Sequence, residues 1–169
     1  MKLFIPLFCF ILAGSPAGFA AIATADLQGT TEGSKISGKV DFEETAEGLK
    51  VKAAVSNAAP GKHGFHIHEF GSCAAGGKAA GGHFNPENAP HGLLVKDGLS
   101  RAHAGDLGNI EIDTAGNGKL ETSLTGLSLT SGKYNVAGKA VILHAKEDDF
   151  GQPVGNAGDR IGCGIIKQG

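Results

Sequence analysis

Glycine is the residue that most restricts how this chain can fold. It contributes 28 of the 169 residues, against the roughly 7% of an average protein, and this excess predicts many tight turns and stretches of irregular backbone. No collagen-like repeat accompanies it, hydrophobic residues make up 41% of the chain, and charged residues make up 19%. This balance favours one compact domain over a fibrous or disordered chain.

The charge balance and the distribution of apolar residues argue against two classes of partner. Fifteen lysines and arginines stand against 17 aspartates and glutamates, so the chain lacks the basic surplus that neutralises the phosphates of nucleic acid. After residue 25, no apolar run in the sequence is long enough to span a bilayer. We therefore expect a mature protein that binds neither nucleic acid nor membrane.

The first 20 residues have the features of a secretory signal peptide. A lysine follows the initial methionine, an apolar run covers residues 3–13, and small residues follow it. We predict cleavage between residues 20 and 25, with the bond after Ala20 favoured over the bond after Ala25, so that residues 21–169 form the mature domain. An uncleaved anchor is the alternative, but proline and glycine interrupt the apolar run before it reaches membrane-spanning length.

Cysteine usage fits an exported protein. Cys9 would leave with the signal peptide, and the mature chain would then hold Cys73 and Cys163, an even pair in an oxidising compartment. We predict that they form one disulfide, which would close a loop of about 90 residues and contribute roughly 4 to 5 kcal/mol in the chain-entropy model. Loss of Lys2 with the same segment would leave a formal charge of −3.

Short runs of alternating or apolar residues predict antiparallel strands. Such runs are found at residues 21–27, 35–43, 49–56, 109–114, 119–124, 139–144 and 161–167. The turn at residues 44–48 predicts one hairpin, and the Asn-Gly pair at 117–118 predicts a second. The first run is expected to be an edge strand, and no convincing amphipathic helix is found. Seven or eight such strands indicate an all-β antiparallel sandwich or flattened barrel.

Two long connections interrupt the predicted strands, at residues 70–107 and 146–159. Loops of this length without secondary structure are uncommon inside a compact domain, and they usually carry function. We therefore expect the functional residues to lie on these two loops and on the strands beside them.

Seven histidines lie on or between these elements, at positions 63, 66, 68, 83, 91, 103 and 144. His66 and His68 are two residues apart in a predicted strand, so both point to the same face and could offer two imidazoles to one metal. His63 has the opposite parity, and we interpret it as a buried, hydrogen-bonded structural histidine. An incidental pair on a polar face is the alternative for the first two.

The first long connection supplies a second group of candidate metal ligands. His83, His91, His103 and Asp106 give three imidazoles and a carboxylate, which is a donor set that suits tetrahedral zinc. Glycines and prolines between them could turn the loop around an ion. A histidine-rich solvated loop is the alternative.

Five segments carry a resemblance to a known family. They are GFHIHEFGSC at residues 64–73, GGHFNPENAPHG at 81–92, HAGDLGNI at 103–110, HAKEDDFG at 144–151 and GNAGDRIGCGII at 155–166. Together they resemble the copper/zinc superoxide dismutases over nearly all of the mature chain. The resemblance implies an eight-stranded antiparallel Greek-key sandwich or flattened barrel with two long functional loops.

The resemblance also implies the metal ligands, with one copper and one zinc per chain. Copper would be bound by His66, His68, His83 and His144, and zinc would be bound by His83, His91, His103 and Asp106. His83 would bridge the two metals. Imidazole nitrogens accept copper in both oxidation states, whereas a carboxylate suits the redox-inert zinc.

Three further roles follow from the same resemblance. Asp148 would accept hydrogen bonds from His66 and His91 and so fix their tautomers. Cys73 and Cys163 match the family disulfide. Arg160 matches the residue that docks the anionic substrate beside copper, whereas Asp149 is expected to be solvated.

The implied reaction is the dismutation of superoxide to dioxygen and hydrogen peroxide, a function in antioxidant defence. Copper would alternate between its two oxidation states, and His83 would leave copper, take up a proton and deliver it to the product. Zinc would be a structural and electrostatic partner.

Several segments depart from the family pattern. The spacing from His91 to His103 is longer and includes Leu93-Leu94-Val95, which is expected to alter zinc affinity or loop packing. The segment between Cys73 and His83 is also longer than in cytosolic members. The loop at 150–159 is shorter, lacks lysines that would steer substrate, and has Val154 where a hydroxyl residue is common. Such rearranged loops favour a secreted enzyme of the bacterial periplasm.

Two other functions fit the same residues less well. A periplasmic copper or zinc buffer would need the ligands but not Arg160, and a copper chaperone would be expected to carry an additional domain with paired cysteines. The oligomeric state cannot be derived from the sequence, although the resemblance allows a homodimer.

Overall fold

A computed structural model describes residues 20–169, and the predicted signal peptide lies outside them except for Ala20. The strands of this part are β1 (Ile22–Gly29), β2 (Ser37–Thr45), β3 (Gly48–Ser56), β4 (Gly61–His68), β5 (Asp106–Ile112), β6 (Gly118–Thr125), β7 (Ala140–His144), β8 (Arg160–Ile165) and the two-residue β9 (Lys167–Gln168). One helical turn, α1 (Leu94–Asp97), and a 3₁₀ turn (Lys78–Ala80) lie in the long first connection. No helix within residues 20–169 is long and apolar enough to cross a membrane.

The strands form one antiparallel sheet that closes on itself. Their order is β2-β3-β6-β5-β4-β7-β8-β1-β9, and β1 also pairs with β2. Order in the sheet differs from order in the chain because the connection from β3 to β4 passes β6 and β5, and the connection from β6 to β7 passes β5 and β4. The predicted all-β barrel of eight main strands is therefore confirmed, with β9 as a short addition beside β1.

The prediction that the first strand is an edge strand is wrong. β1 pairs with β2 from Ile22 opposite Glu43 to Gln28 opposite Ser37, and its other side pairs with β8 through Gln28 and Cys163. Closure of the barrel gives β1 a neighbour on both sides, which removes the exposed row of backbone donors and acceptors that an edge strand presents.

The second predicted hairpin is correct only at its turn. The Asp113 carboxylate accepts hydrogen bonds from the backbone of Ala115 and Asn117, both at 2.9 Å, and so holds the turn closed. Beyond it, β5 and β6 pair only at Ile112 and Gly118. The other edge of β6 pairs with β3 from Gly118 to Thr125, so the register of β6 is set mainly by this long-range partner.

The barrel interior is filled by alternate residues of the strands. In β3, the side chains of Leu49, Val51, Ala53 and Val55 are buried, while Lys52 between them is exposed. In β4, Phe65 and Ile67 are fully buried in the same core. The side chains of the two histidines that alternate with them therefore leave the barrel on its opposite face, where the long connections cover them.

The unexpected Leu93-Leu94-Val95 segment closes the seam between β5 and β6. These residues begin α1, which packs against both strands. Leu94 is 4% exposed and belongs to the main core, whereas Val95 is 58% exposed. The Asp97 carboxylate accepts a hydrogen bond from the Leu93 backbone N–H at 2.9 Å and stabilises the turn. The extra residues between His91 and His103 thus place Leu94 as a plug that fills the gap between β5 and β6, where few residues pair.

We predict that Leu94→Ala lowers the free energy of unfolding of the metal-free protein by about 2–4 kcal/mol, because it removes a buried side chain and leaves a cavity. Val95→Ala is the matched control, and its effect should stay within about 0.5 kcal/mol since that side chain is exposed. Denaturant unfolding measures both. Equal effects of the two variants would contradict the role of Leu94 as a plug.

Candidate metal centre

Four histidines converge on the outer face of two neighbouring strands. His66 and His68 project from β4, and His144 ends β7, the strand paired with β4. His83 comes from the long connection and forms an isolated bridge with His68. Each of the four offers a ring nitrogen within 4.8 Å of the others, and all four are buried or nearly so. The structure therefore brings together the four histidines assigned to copper from the sequence.

The tautomers of two of these histidines are set by backbone carbonyls. The Nδ1 atom of His68 lies 3.0 Å from the Gly81 carbonyl oxygen, and that of His144 lies 3.1 Å from the Gly158 carbonyl oxygen. A carbonyl only accepts, so Nδ1 carries the proton in both rings and Nε2 carries a lone pair. The two Nε2 atoms are 3.3 Å apart. Two lone pairs at this distance repel each other unless a cation lies between them.

Two buried ring nitrogens have no hydrogen-bond partner among residues 20–169, and they are Nδ1 of His66 and Nδ1 of His91. The second lies 3.0 Å from an Asp106 oxygen, close enough for electrostatic attraction, but outside hydrogen-bonding geometry. A buried polar atom without a partner is costly. Each of these nitrogens belongs to one of the two groups of candidate ligands, and a metal ion would satisfy both.

The second group consists of His83, His91, His103 and Asp106. The Asp106 Oδ1 atom lies 2.8 Å from Nδ1 of His83 and 3.1 Å from Nδ1 of His103, and these two nitrogens are 3.3 Å apart. Donors about 2.0–2.1 Å from a tetrahedral zinc ion would lie about 3.3 Å from one another. The spacing and the chemistry of the donors therefore fit zinc.

Asp106 also fixes the loop from which its partners come. Its Oδ2 atom accepts hydrogen bonds from the backbone of Gly92 at 3.0 Å and of His103 at 2.8 Å. Oδ2 thus holds two arms of the loop, while Oδ1 lies next to the imidazoles of His83 and His103. Asp106 begins β5 opposite His66 of β4, so the sheet sets the position of the carboxylate.

Asp148 joins the two groups, as the resemblance implies. Its Oδ2 atom lies 2.8 Å from Nε2 of His66, and its Oδ1 atom lies 2.9 Å from Nε2 of His91. These contacts place the protons on Nε2 and leave both Nδ1 atoms free to bind metal. Asp149, as predicted, is exposed.

Three residues around Asp148 and His91 were missed by the sequence analysis. The Asn109 side chain pairs with the Asp148 backbone, accepting at 2.8 Å and donating at 2.9 Å. Gln152 pairs in the same way with the His91 backbone. Gly155 has φ +77°, and a Cβ there would lie 1.8 Å from Asp148 Oδ1. Amide side chains and a glycine carry no chemical signature of their own, so no pattern in one sequence identifies them.

Burial keeps three of the imidazoles neutral. It lowers the pKa of His68 to about 2 and that of His144 to about 3. It lowers the pKa of His83 to about 4, although the hydrogen bond to Asp106 opposes the shift. At neutral pH these rings hold lone pairs that can bind a metal without first losing a proton.

The carboxylates are ionised, and they act on His91. Burial opposes ionisation, but hydrogen bonds with the surrounding histidines hold the pKa of Asp106 and of Asp148 well below the usual range. Burial also opposes protonation of His91, yet the two carboxylates raise its pKa to about 9. Without metal, His91 therefore carries a proton that a bound cation would displace.

A small cavity opens onto the first group of histidines. It has a volume of about 190 Å³, and its lining includes His68, His83, His144, Val154 and Arg160. Arg160 donates to the carbonyl oxygens of Gly77 and Gly81, both at 2.6 Å. The Gly81 oxygen also accepts from His68. The guanidinium is therefore held beside the histidines by the same loop that orients one of them.

The disulfide predicted from the cysteine count is present between Cys73 and Cys163. It joins the segment that contains Gly77 and Gly81 to β8, the strand that begins with Arg160. The disulfide thus ties the strand that carries Arg160 to the segment whose carbonyls accept its hydrogen bonds.

His63 is a structural residue, as its parity predicted. Its side chain is 3% exposed, and its ring nitrogens each lie 2.8 Å from a carbonyl oxygen, one of His144 and one of Ala59. It contributes no nitrogen to either group of candidate ligands, but it holds the backbone of His144.

Comparisons with known proteins agree with this geometry. The sequence profile of the family described as copper/zinc superoxide dismutase (SODC) matches residues 36–166. A Caenorhabditis elegans protein named extracellular superoxide dismutase (Cu-Zn) is 43% identical over 136 residues, covering 76% of this chain and 60% of that protein. A Haemonchus contortus protein of the same name is 43% identical, with 78% and 74% covered.

Two further comparisons cover more of the related protein. A superoxide dismutase (Cu-Zn) of Schizosaccharomyces pombe is 41% identical over 143 residues, covering 79% of this chain and 90% of that protein. The crystal structure of the clock protein EA4 superposes with a TM-score of 0.77 at 34% identity, covering 91% of this chain and 98% of that one. These named organisms are nematodes and a yeast, so the expected bacterial origin is not supported.

We predict that purified protein holds about one copper and one zinc per chain, and that the two groups of ligands can be separated by mutation. His144→Ala should lose chiefly copper, because it removes a nitrogen found in the first group alone. Asp106→Ala should lose chiefly zinc. Elemental analysis after loading with both metals measures this, and uptake of a single metal by the unmodified protein would contradict two sites.

We also predict that reduction of the disulfide lowers the melting temperature and loosens the loop that holds Arg160, since it restores chain entropy worth roughly 4 to 5 kcal/mol. A Cys73→Ser, Cys163→Ser double variant should already melt at the lower temperature and should not respond to reductant. Two free thiols in the mass spectrum of the exported protein would contradict the prediction.

Proposed function

The chain belongs to the copper/zinc superoxide dismutase family, and we propose that it converts superoxide to dioxygen and hydrogen peroxide with one copper and one zinc ion. The observation that carries this function is the pair of ligand groups that share His83. Copper is assigned to His66, His68, His83 and His144, and zinc is assigned to His83, His91, His103 and Asp106. The first group offers four imidazole nitrogens, and the second includes a carboxylate, as the two metals prefer.

The protein contributes orientation, charge and protons to the reaction. Bound copper supplies one-electron redox chemistry, and bound zinc supplies a fixed positive charge. Dismutation of two superoxide anions consumes two protons. Nδ1 of His83 faces Asp106, which leaves Nε2 for the copper side, and there this nitrogen can hold a proton and pass it to the reduced product.

Arg160 binds the substrate anion. Its guanidinium lines the cavity that reaches three of the copper ligands, and its hydrogen bonds to two carbonyls fix its direction. A mature chain with a formal charge of −3 repels superoxide overall, so approach depends on a local positive field. This placement favours the enzyme over a metal buffer, which has no use for an arginine beside the ligands.

Export is the location that the comparisons support. Two of the relatives are named extracellular, and we propose that this chain is also secreted, with residues 1–20 as a cleaved signal peptide and residues 21–169 as the mature domain. Cleavage after Ala20 would leave β1 complete, whereas cleavage after Ala25 would remove half of it, including the buried Ala23. Periplasmic residence and homodimer formation stay predictions. The mass of the exported chain tests the cleavage site, and its sedimentation velocity tests the homodimer.

We predict that Arg160→Glu lowers the second-order rate constant by on the order of 10- to 1000-fold while both metals stay bound, because the local field changes sign. Arg160→Lys keeps the charge but loses the paired hydrogen bonds, and Arg160→Gln loses the charge. The expected order of rates is Arg, Lys, Gln, Glu. Pulse radiolysis at several salt concentrations measures the rates, and added salt should slow the unmodified enzyme.

Lys119→Glu is the control for this series. It makes the same change of charge on β6, at an exposed position outside the cavity lining, and it should alter the rate far less than Arg160→Glu. A native rate in Arg160→Glu with both metals present would contradict the docking role and favour metal buffering.

A further inference from the structure

Gln152 makes a two-point contact with the backbone of a single metal ligand. Its Oε1 atom accepts from the His91 backbone N–H at 3.0 Å, and its Nε2 atom donates to the His91 backbone carbonyl at 2.8 Å. The side-chain amide therefore satisfies both polar backbone groups of this residue, as a neighbouring strand would. His91 lies outside the strands and helices, so secondary structure does not hold its backbone.

The same short stretch of chain also holds the ring of His91. Asp148 accepts a hydrogen bond from Nε2, and the Phe150 ring stacks on the imidazole with the ring centroids 6.3 Å apart. Residues 148 and 152 thus hold the proton-bearing nitrogen and the backbone of His91, and the ring of residue 150 lies beside the imidazole. The nitrogen left over, Nδ1, is the buried one without a hydrogen-bond partner within the described residues.

We propose that Gln152 is a positioning residue for zinc, which holds the His91 backbone so that Nδ1 stays directed at the zinc group. The proposal rests on the assignment of zinc to His91, His83, His103 and Asp106 under the proposed function. A side chain can rotate about its bonds even when its backbone is fixed, but here Asp148 fixes the ring and Gln152 fixes the backbone. With both contacts in place, His91 has no rotation that removes Nδ1 from zinc without breaking a hydrogen bond.

The position of Gln152 explains what the shortened loop contributes. Residues 150–159 contain no lysine, so this loop adds no positive charge for steering. Gln152 is exposed at its surface, yet its amide reaches back across the zinc loop. The shortened segment therefore acts as a clamp that joins its own loop, which also carries Asp148, to the loop that carries the proposed zinc ligands.

Loss of the clamp should speed the departure of zinc. Residues that orient a ligand without touching the metal typically change metal affinity by about 10- to 100-fold when replaced. Because the Gln152 contacts are partly open to water, we expect an effect on the order of 10-fold, at the lower end of this range. Copper should stay bound, since none of its assigned ligands contacts Gln152.

The test compares variants of the protein loaded with copper and zinc. Gln152→Met keeps the length of the side chain and removes both hydrogen bonds. Gln152→Glu keeps an acceptor for the His91 N–H but sets a second oxygen against the His91 carbonyl. Both should release zinc on the order of 10-fold faster than the unmodified protein, measured with a colorimetric zinc chelator in excess, and both should change the visible spectrum of protein that carries cobalt in place of zinc.

Gln168→Met is the matched control, because the Gln168 amide also donates to a backbone carbonyl, that of Leu129 in another part of the barrel. It should release zinc at the unmodified rate even if it lowers the melting temperature. Normal zinc release from Gln152→Met would overturn the proposal and show that size alone matters at this position. Failure of the unmodified protein to bind zinc would instead overturn the metal assignment, so the two failures are distinguishable.

Discussion

The metal centre depends on the two hydrogen bonds that the Asp148 carboxylate accepts from histidine rings. One oxygen accepts a hydrogen bond from Nε2 of His66, and the other accepts one from Nε2 of His91. These bonds leave Nδ1 of each ring as the nitrogen that can bind metal. A buried carboxylate is stable only with partners of this kind. Asp148 also accepts from the Phe150 backbone, and Asn109 holds its own backbone at two points. One side chain thereby couples His66, a candidate copper ligand, to His91, a candidate zinc ligand.

This carboxylate and its partners are positioned by the strands of the barrel and by contacts that tether the loops, rather than by secondary structure within the loops. β4 and β7 present His66, His68 and His144 on a face whose other side is anchored by Phe65 and Ile67 in the core. The loops that cover this face are held at single points, by the disulfide, by Asp106 and by the hydrogen bonds of Arg160. A rigid sheet with tethered loops can keep several imidazoles at metal-binding distances before any metal arrives.

The sequence predicts the ligands better than it predicts the way they are held. Histidines two apart on a strand, or grouped with a carboxylate in a glycine-rich loop, have a chemical signature and a spacing that can be recognised. Closure of the barrel by β1, the capping of the β5–β6 seam by Leu94 and the amide contacts of Asn109 and Gln152 depend on partners tens of residues away. No local period encodes such contacts, and the Asn-Gly turn shows the limit, since it predicts the turn between β5 and β6 but not the longer pairing of β6 with β3.

In this protein the second loop contributes to the positioning of His91 rather than to the attraction of anions. Residues 150–159 contain no lysine, so this part of the loop adds no positive charge, and Arg160 is the charged side chain that lines the cavity. Two backbone carbonyls orient the Arg160 guanidinium without neutralising it, because a carbonyl carries only a partial charge. This loop instead holds His91 through Asp148 and Gln152, with the Phe150 ring beside the imidazole. Under the proposed function, steering is therefore concentrated at Arg160 beside the cavity, while the loop holds His91, a proposed zinc ligand.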